Sequence, residues 1–387
     1  MSFLRISSSL LVLSLWAAGS VAVAQDRDST AAVDSLLIKE LEKEMAGQAA
    51  ATPTPTPAQA APRSAPTTNP RISVIGDLRA WYTSEGERNV DAELHEAELS
   101  FQSVVDPYAR ADVFVAADHG PGGFHFDLEE AYLTTLSLPH QLQLKGGKFR
   151  STVGKINRIH PHALPFIDMP LVYLNYFGEE GLNDEGIELS WLVPNPAFFQ
   201  EFTFEISRGP GEGESFVYSG DNRLLYTSHL RNFWDLTPNS TLEVGLTGIA
   251  GPNPNDRSTL MGGLDVTYKW KPVQFNTYHS LTLQSEAFLS DAGQIPGAST
   301  TTFGMYALAT YQLARRWFLT GRFDQSDVPD DASWNEYGAS ATLGWHLTEF
   351  QKIELGGRTL WGDGIDRSSQ ALARVIFVIG AHGAHEY

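Results

Sequence analysis

The sequence predicts an all-β fold, a transmembrane antiparallel β-barrel of about 16 strands. From Arg71 onward, apolar and polar residues alternate with a period of two in segments that end at turn residues. Tight turns and longer polar loops also alternate along the chain, as in membrane barrels with short periplasmic turns and long outer loops. The 34 glycines and the 9 Trp, 13 Tyr and 21 Phe residues accompany an apolar fraction of only 42%. This composition suits strands that present only one face to lipid.

The composition excludes several classes of function. The 387 residues carry 46 acidic and 27 basic side chains, which give a formal net charge of −19. A nucleic-acid-binding protein needs a concentrated basic face, so we expect no nucleic acid among the partners. The chain has no cysteine, which excludes disulfides, cysteine-based zinc sites and thiol nucleophiles.

The N-terminus has the features of an export signal. Arg5 provides a positive charge, Leu10–Ala18 form a short apolar core, and Ala22-Val23-Ala24 provide small residues before the expected cleavage site. We therefore predict a signal peptide over residues 1–24. The alternative is an uncleaved anchor, although a membrane helix needs about 20 apolar residues and this core is shorter.

Two short segments follow the signal peptide. Residues 25–46 contain an apolar stripe that predicts an amphipathic helix at about Ala31–Ala46, which forms either a coiled coil or a fraying tail. Residues 47–70 are rich in Pro, Thr and Ala and predict an extended linker. The barrel is then expected over residues 71–387, with the helix in the periplasm. The stripe of the predicted helix consists of Val33, Leu37, Leu41 and Met45.

The number of predicted strands is even, which places both ends of the barrel on the periplasmic side. A soluble β-propeller of four blades is the alternative, but it does not require alternating loop lengths. The predicted strands are Arg71–Tyr82, Leu94–Val105, Tyr108–Asp118, Phe124–Leu138, Gln141–Phe149, Glu185–Val193, Glu201–Arg208, Leu224–Leu236, Thr241–Ala250, Leu260–Trp270, Asn276–Leu289, Thr302–Leu313, Trp317–Gln325, Glu336–Leu347, Lys352–Trp361 and Gln370–Gly380.

Connections of two lengths separate these strands. Tight turns such as Asp106-Pro107 and Lys271-Pro272-Val273 are expected on the periplasmic side, with aromatic residues near them in an interfacial girdle. Longer polar loops are expected on the outer side. These are Glu87–Asp91, Gly209–Asn222, Pro252–Thr259, Asp291–Thr300, Val328–Asn335 and Gly362–Ser369.

The longest connection runs from Arg150 to Asp184 and carries many apolar residues, among them Phe166, Tyr173 and Phe177. Long loops without regular structure are usually functional, and one this apolar needs a place to be buried. We expect it to fold into the barrel and narrow the lumen. A lid packed over the outer mouth is the alternative.

Charges near this loop depart from the acidic average, because no Asp or Glu occurs between Ala131 and Ile167. If the loop folds inward, its cations form a positive wall that concentrates anions near the constriction. Acidic residues of earlier strands would oppose them; solvated surface positions are the alternative for each charge. The candidate constriction residues are Lys145, Lys148, Arg150, Lys155 and Arg158, with Glu96, Glu98, Asp112, Asp127 and Glu129 opposite.

Two histidine pairs, His160 with His162 and His382 with His385, are weak candidates for metal ligands. A structural zinc site needs four ligands, and the sequence indicates no others, so we assign neither a metal nor another cofactor. No motif places a nucleophile beside a base and no phosphate-binding loop is present, so we expect no enzyme.

The run LKGGKFRSTVGKINRIHPHALPF, from Leu144 to Phe166, resembles the strand-to-loop passage of phosphate-selective porins of the O/P type. The preceding strand segment Leu128–Tyr132 is part of this resemblance. The run GEEGLNDEG, from Gly178 to Gly186, is similar to outer-membrane barrels labelled zinc-regulated TonB-dependent receptors. The resemblance implies a porin barrel of sixteen strands, an inward-folded third outer loop and often a homotrimer.

Together these features predict an outer-membrane porin of a Gram-negative-type bacterium. Its partners would be outer-membrane lipid and the small ions or hydrophilic solutes that diffuse through it, with selectivity set by residues 150–184. The alternative function is a ligand- or metal-binding receptor-like barrel. Such a receptor would lack a TonB-type plug, because residues 25–70 are too few to form one.

Overall fold

The computed structural model describes residues 70–84, 90–120, 123–210, 215–220, 223–295, 297–329, 331–363 and 365–380. The predicted signal peptide (1–24), the predicted helix segment (25–46), His382 and His385 lie outside the described residues, as does the linker except for its last residue. Among the described residues, no helix is long and apolar enough to cross a membrane.

Sixteen strands form a closed antiparallel barrel in which each strand pairs with its neighbours in sequence and β1 pairs with β16. This confirms the predicted fold class. The strands are β1 (Arg71–Thr83), β2 (Val90–Asp106), β3 (Ala109–Gly120), β4 (Gly123–Thr135), β5 (Leu142–Arg150), β6 (Asn183–Leu192), β7 (Phe199–Ser207), β8 (Leu225–Thr237), β9 (Ser240–Pro252), β10 (Ser258–Trp270), β11 (Leu281–Ile295), β12 (Ala298–Ala314), β13 (Trp317–Val328), β14 (Asp331–Thr348), β15 (Gln351–Gly362) and β16 (Ile365–Gly380).

The alternation of side chains gives the barrel an apolar outer face and a polar inner face. In β10, Leu260 and Leu264 are exposed on the outside, whereas Thr259, Asp265 and Thr267 are buried inside. A membrane barrel needs this pattern because its outer face meets hydrocarbon and its inner face meets water or other protein groups.

The connections differ from the predicted lengths at both rims. We call the end that holds Arg71 and Gly380 the turn rim and the other end the loop rim. At the loop rim, three predicted long loops are short hairpins, because strands extend through 291–295, 298–300, 331–335 and 365–369. Water solvates both strand faces beyond the hydrocarbon layer, so polar residues continue the ladder there, and the hydropathy pattern used for prediction ends too early.

One predicted tight turn of the turn rim is also longer than expected. Strand β11 begins at Leu281 rather than Asn276, so the connection after Trp270 spans residues 271–280. This segment closes on itself through backbone hydrogen bonds, from Phe275 to the Pro272 carbonyl and from Tyr278 to the Phe275 carbonyl. The Pro272 ring removes a ladder donor and stops continuous strand pairing.

The connection between β5 and β6, residues 151–182, lies inside the barrel as predicted; we call it the inward loop. It contains a short 3₁₀ turn at Pro161–Ala163 and one helical segment, α1 (Leu171–Phe177). Tyr173 and Phe177 of α1 pack edge-on against Phe288 of β11. The hydrophobic core therefore lies between this loop and the inner wall of the barrel. Its loop members are Val153, Ile156, Leu164, Phe166, Val172, Tyr173, Tyr176, Phe177 and Leu182, and its other members are Phe216, Leu225, Ile249, Met261, Phe288, Tyr306 and Leu308.

The closing strand pair contains a close approach between Gly76 of β1 and Phe377 of β16. The two residues are partners in the closing ladder, and a Cβ added at Gly76 would lie 2.3 Å from Phe377 Cζ. The aromatic ring therefore covers a position that no side chain can share.

We expect Gly76→Val to destabilise the barrel by about 2 kcal/mol, because the new side chain displaces the Phe377 ring. Urea unfolding in lipid vesicles measures this difference. Gly262→Val in β10 is the matched control, because nothing lies within 4 Å of a Cβ there. An equal loss in both variants would show that the ring contact does not stabilise the closing pair.

Candidate solute pathway inside the barrel

The first part of the inward loop is held by the buried carboxylate of Glu286 on β11. Glu286 accepts hydrogen bonds from the backbone N–H groups of Lys155 and Ile156, at 2.9 and 3.1 Å. It also accepts from the hydroxyls of Tyr173 and Tyr306. Four donors thus converge on one carboxylate, which fixes the loop to β11, six strands away from its entry strand β5. Burial and this neighbouring carboxylate raise the pKa of Tyr173 well above its ordinary value, so the phenol remains a donor.

A second attachment joins the middle of the loop to β13 and β15. The Asp168 carboxylate lies 2.7 Å from the Arg322 guanidinium and 3.0 Å from that of Arg358. Arg322 also donates to the Asp168 carbonyl at 2.6 Å and lies over the Phe166 ring. Burial alone would raise the pKa of Asp168, but the two guanidiniums hold it below its ordinary value of 3.8.

Two further cations of the wall bind carbonyl groups of the loop. Arg374 of β16 donates to the carbonyls of Pro161 and Leu164, at 3.1 and 3.0 Å. Lys352 of β15 lies 3.4 Å from the His162 carbonyl. These contacts supply hydrogen bonds that water would otherwise give to irregular backbone.

The loop brings His160 and His162 against four glutamates of β2 and β4. We call Glu96, Glu98, Glu129, Glu130, His160 and His162 the histidine–glutamate cluster. Its shortest contacts join His160 Nδ1 to Glu98 Oε2 and His160 Nε2 to Glu130 Oε1, each at 2.7 Å. Burial lowers the pKa of His160, but its hydrogen bonds to Glu129, Glu130 and Glu98 raise that pKa well above its ordinary value.

The predicted constriction cations lie close to carboxylates, although three of them share strand β5. Lys145 lies 2.9 Å from Glu188, and Lys155 lies 2.6 Å from Glu243. Arg150 Nη2 lies 3.1 Å from Glu129. Lys148 bridges β5 to β4 by donating to the Leu128 carbonyl at 2.6 Å and approaching Asp127 at 3.5 Å, whereas Arg158 lines a cavity. The structure thus interleaves the two signs instead of separating them on opposite walls.

The predicted acidic residues fall into two groups. Glu96, Glu98 and Glu129 belong to the histidine–glutamate cluster and are largely buried. Asp112 lies 2.6 Å from Arg110 on its own strand, and Asp127 is largely exposed beside Lys148. Only the first group contacts the inward loop through the histidines.

Sequence reasoning missed several of the residues that hold the loop. Glu130 was missed because strict alternation places it outside, whereas a register shift between Phe114 and Val115 of β3 lets both Glu129 and Glu130 be buried. The others are charged residues of later strands, which alternation places on the inner face but does not identify as partners of the loop. They are Glu188, Glu205, Glu243, Glu286, Arg322, Lys352, Arg358 and Arg374.

The inward loop leaves a cavity on each side. The cavity toward the turn rim has a volume of about 350 Å³ and is lined by charges of both signs, including Arg110, Lys155, Arg231 and Glu243. The cavity toward the loop rim has a volume of about 340 Å³ and is richer in carboxylates. Arg150 lines both cavities, so it lies between them.

A closed barrel of sixteen antiparallel strands with an inward loop is a porin-type β-barrel. No family model matches the chain. An uncharacterised protein of Aquifex aeolicus is 28% identical to it over 340 residues, which cover 76% of this chain and 70% of that protein.

Solved structures of outer-membrane proteins share the fold. OprB of Pseudomonas putida superposes with a TM-score of 0.58 and 10% identity, covering 80% of this chain and 94% of that one. The anion-selective porin of Comamonas acidovorans superposes with a TM-score of 0.55 and 9% identity, covering 80% of this chain and 99% of that one. OmpT of Vibrio cholerae in its trimer form superposes with a TM-score of 0.56 and 8% identity, covering 80% of this chain and all of that one. The chain therefore has the fold of outer-membrane porins.

The Asp168 attachment predicts a pH-dependent stability. Because the folded-state pKa is depressed, the contribution of Asp168 is complete above its ordinary value of 3.8 and is lost as pH falls through the lower folded-state value. We expect Asp168→Asn to reduce the free energy of unfolding by about 3 kcal/mol at pH 7, since Arg358 loses its carboxylate and Arg322 keeps only Asp324, at 2.9 Å.

Urea unfolding of both proteins between pH 7 and pH 2 measures this effect. The difference between them should shrink at the acidic end, where protonated Asp168 resembles Asn. Asp235→Asn, at an exposed site of the turn rim, serves as the control. A difference that is independent of pH would contradict the assignment of the effect to the Asp168 charge.

Proposed function

We propose that the protein is an outer-membrane porin that lets ions or small hydrophilic solutes diffuse passively. The observation that carries this proposal is the inward loop, which divides the lumen into two charged cavities, both lined by Arg150. A wet, charged lumen inside an apolar outer face is the architecture of a diffusion pore. The protein's environment is then the outer-membrane lipid of a Gram-negative-type bacterium, reached with the predicted signal peptide.

The similar structures support this proposal. One of them is an anion-selective porin, and another is an outer-membrane protein in a trimer form. We accordingly propose a homotrimer, with the predicted helix of residues 25–46 in the periplasm. The loop and its contacts with the wall would restrict which solutes pass and would catalyse no reaction.

In this proposal, selectivity between anions and cations follows from how the charged side chains of the lumen are paired. Lys145, Arg150 and Lys155 each lie within 3.1 Å of a carboxylate, so each cation is partly neutralised locally. Glu243 is shared, because it also lies 2.8 Å from Arg231. The balance between these paired cations and the remaining charges sets ion preference, and a change in one shared carboxylate should move it.

Releasing the inward loop should raise single-channel conductance. Gly154 has a positive φ of +55°, and a Cβ there would lie 1.8 Å from Glu286 Oε2, so Gly154→Val should detach the loop from its carboxylate. Gly146→Ala in the adjacent strand is the control, because nothing lies within 4 Å of its Cβ position. Planar-bilayer recordings measure the conductance. If unmodified, demonstrably folded protein gives no steps, the porin proposal fails.

Removing the shared carboxylate should favour anions. Glu243→Gln leaves Lys155 and Arg231 without their common partner, and one charge at about 8 Å changes an ion's energy by about 0.5 kcal/mol in water, or roughly twofold in permeability ratio. The reversal potential under a salt gradient measures this ratio.

Glu201→Gln is the matched control for this variant. Glu201 lines the same cavity but lies 4.0 Å from Arg231. Glu201→Gln removes the same formal charge, but Glu201 is 26% exposed against 8% for Glu243, so solvent screens it more and the expected shift is smaller. Equal shifts in the two variants would show that total charge, and not the pairing at Glu243, sets the preference.

A further inference from the structure

We propose that Glu98, His160 and His162 bind a divalent first-row metal ion of the zinc class inside the barrel. The three residues are buried, and one ligand atom from each lies within 4.8 Å of the others. Imidazole nitrogens and a carboxylate oxygen form a donor set that suits this class of metal. The inference goes beyond the proposed pore, because a metal can bind whether or not the barrel conducts.

The distances match the edges of a metal coordination shell. With bonds of about 2.0–2.2 Å, tetrahedral ligand atoms lie roughly 3.3 Å apart. Glu98 Oε2 lies 2.7 Å from His160 Nδ1 and 3.7 Å from His162 Nδ1. These two separations lie on either side of that value, and the two histidine nitrogens lie within 4.8 Å of each other, so an ion can enter after side-chain adjustments on the ångström scale.

Two neighbouring carboxylates can complete the shell. Glu129 Oε2 lies 3.4 Å from His160 Nδ1, and Glu96 Oε1 lies 3.9 Å from His162 Nδ1. Glu96, Glu98 and Glu129 also form a group of their own with oxygens within 4.8 Å of one another. Either Glu129 or Glu96 would supply a fourth ligand, and water a further one.

The surroundings orient the histidines as metal sites require. Nε2 of His160 lies 2.7 Å from Glu130 Oε1, which directs Nδ1 toward Glu98 and is the carboxylate–histidine arrangement typical of metal ligands. The carbonyls of Pro161 and His162 are held by Arg374 and Lys352. Both imidazoles are thus positioned by residues that are not ligands themselves.

A buried oxygen of Glu98 without a hydrogen-bond donor is the independent observation that favours a cation. This side chain is 1% exposed, and its Oε1 accepts no hydrogen bond from any described residue. A buried carboxylate oxygen without a donor is costly, and a bound cation removes that cost. Arg150 lies nearby but is engaged by Glu129 and the Glu180 carbonyl.

The test is direct binding of Zn²⁺ alone to the full chain folded in detergent. Isothermal titration and metal analysis after dialysis should give one zinc per chain. X-ray absorption at the zinc edge should show two imidazole nitrogens together with carboxylate or water oxygens. No bound zinc, or a shell without two imidazoles, would overturn the proposal, and neither measurement depends on ion conduction.

Variants assign the site to these residues. His162→Ala and Glu98→Gln should each weaken zinc binding by roughly tenfold or more, which is the scale of losses at metal sites. His229→Ala is the matched control, because His229 is also buried and lies 3.9 Å from Asp265 on another part of the wall.

Folding of each variant is checked by its heat-dependent electrophoretic mobility. If one ligand variant does not fold, the other, together with the absorption spectrum of the unmodified protein, still decides the matter. Zinc affinity that is unchanged in a folded ligand variant, or lost equally in His229→Ala, would overturn the assignment.

Discussion

Glu286 illustrates the constraint on which the rest of the structure depends: an irregular loop inside a barrel must find hydrogen-bond partners for its backbone. A regular strand satisfies its backbone with its neighbours, but a loop that crosses the lumen has no ladder. The wall therefore supplies charged side chains. Glu286 accepts the N–H groups of Lys155 and Ile156, while Arg374 and Lys352 donate to carbonyls further along.

This constraint explains why so many lumenal charges do not behave as free charges. Arg322 and Arg358 meet Asp168, and Arg374 meets Glu354 while it holds the loop. Their first role is to position backbone, and paired charges contribute less field to a passing ion than isolated ones. In the proposed pore, the field acting on an ion would come mainly from charges whose partners are shared or exposed, such as Arg231 beside Glu243.

Much of this fold was predictable from the sequence, because strand periodicity and the apolar content of one long connection are local signals. All sixteen strands and the inward position of the loop were predicted in this way. The attachments were not, since Asp168 lies 154 residues from Arg322 and 190 from Arg358 in sequence. An inward Glu286 is also indistinguishable, in sequence, from a carboxylate that faces water. Pairing over such distances is decided by the closure of the barrel and leaves no local pattern.

The histidine–glutamate cluster lies beside an irregular part of the barrel wall, where the pairing of β4 with β5 is interrupted. The interruption also explains why the cluster forms at this place. Strands β4 and β5 share only four paired positions, from Ala131–Lys148 to Thr134–Lys145. Beyond them, side chains replace the ladder: Lys148 donates to the Leu128 carbonyl, and Asn183 donates to the Glu129 carbonyl. The register shift in β3 and β4 at this point allows the carboxylates of Glu129 and Glu130 to be buried together. The interrupted ladder therefore both admits the chain into the lumen at Arg150 and frees the carboxylates that meet its histidines.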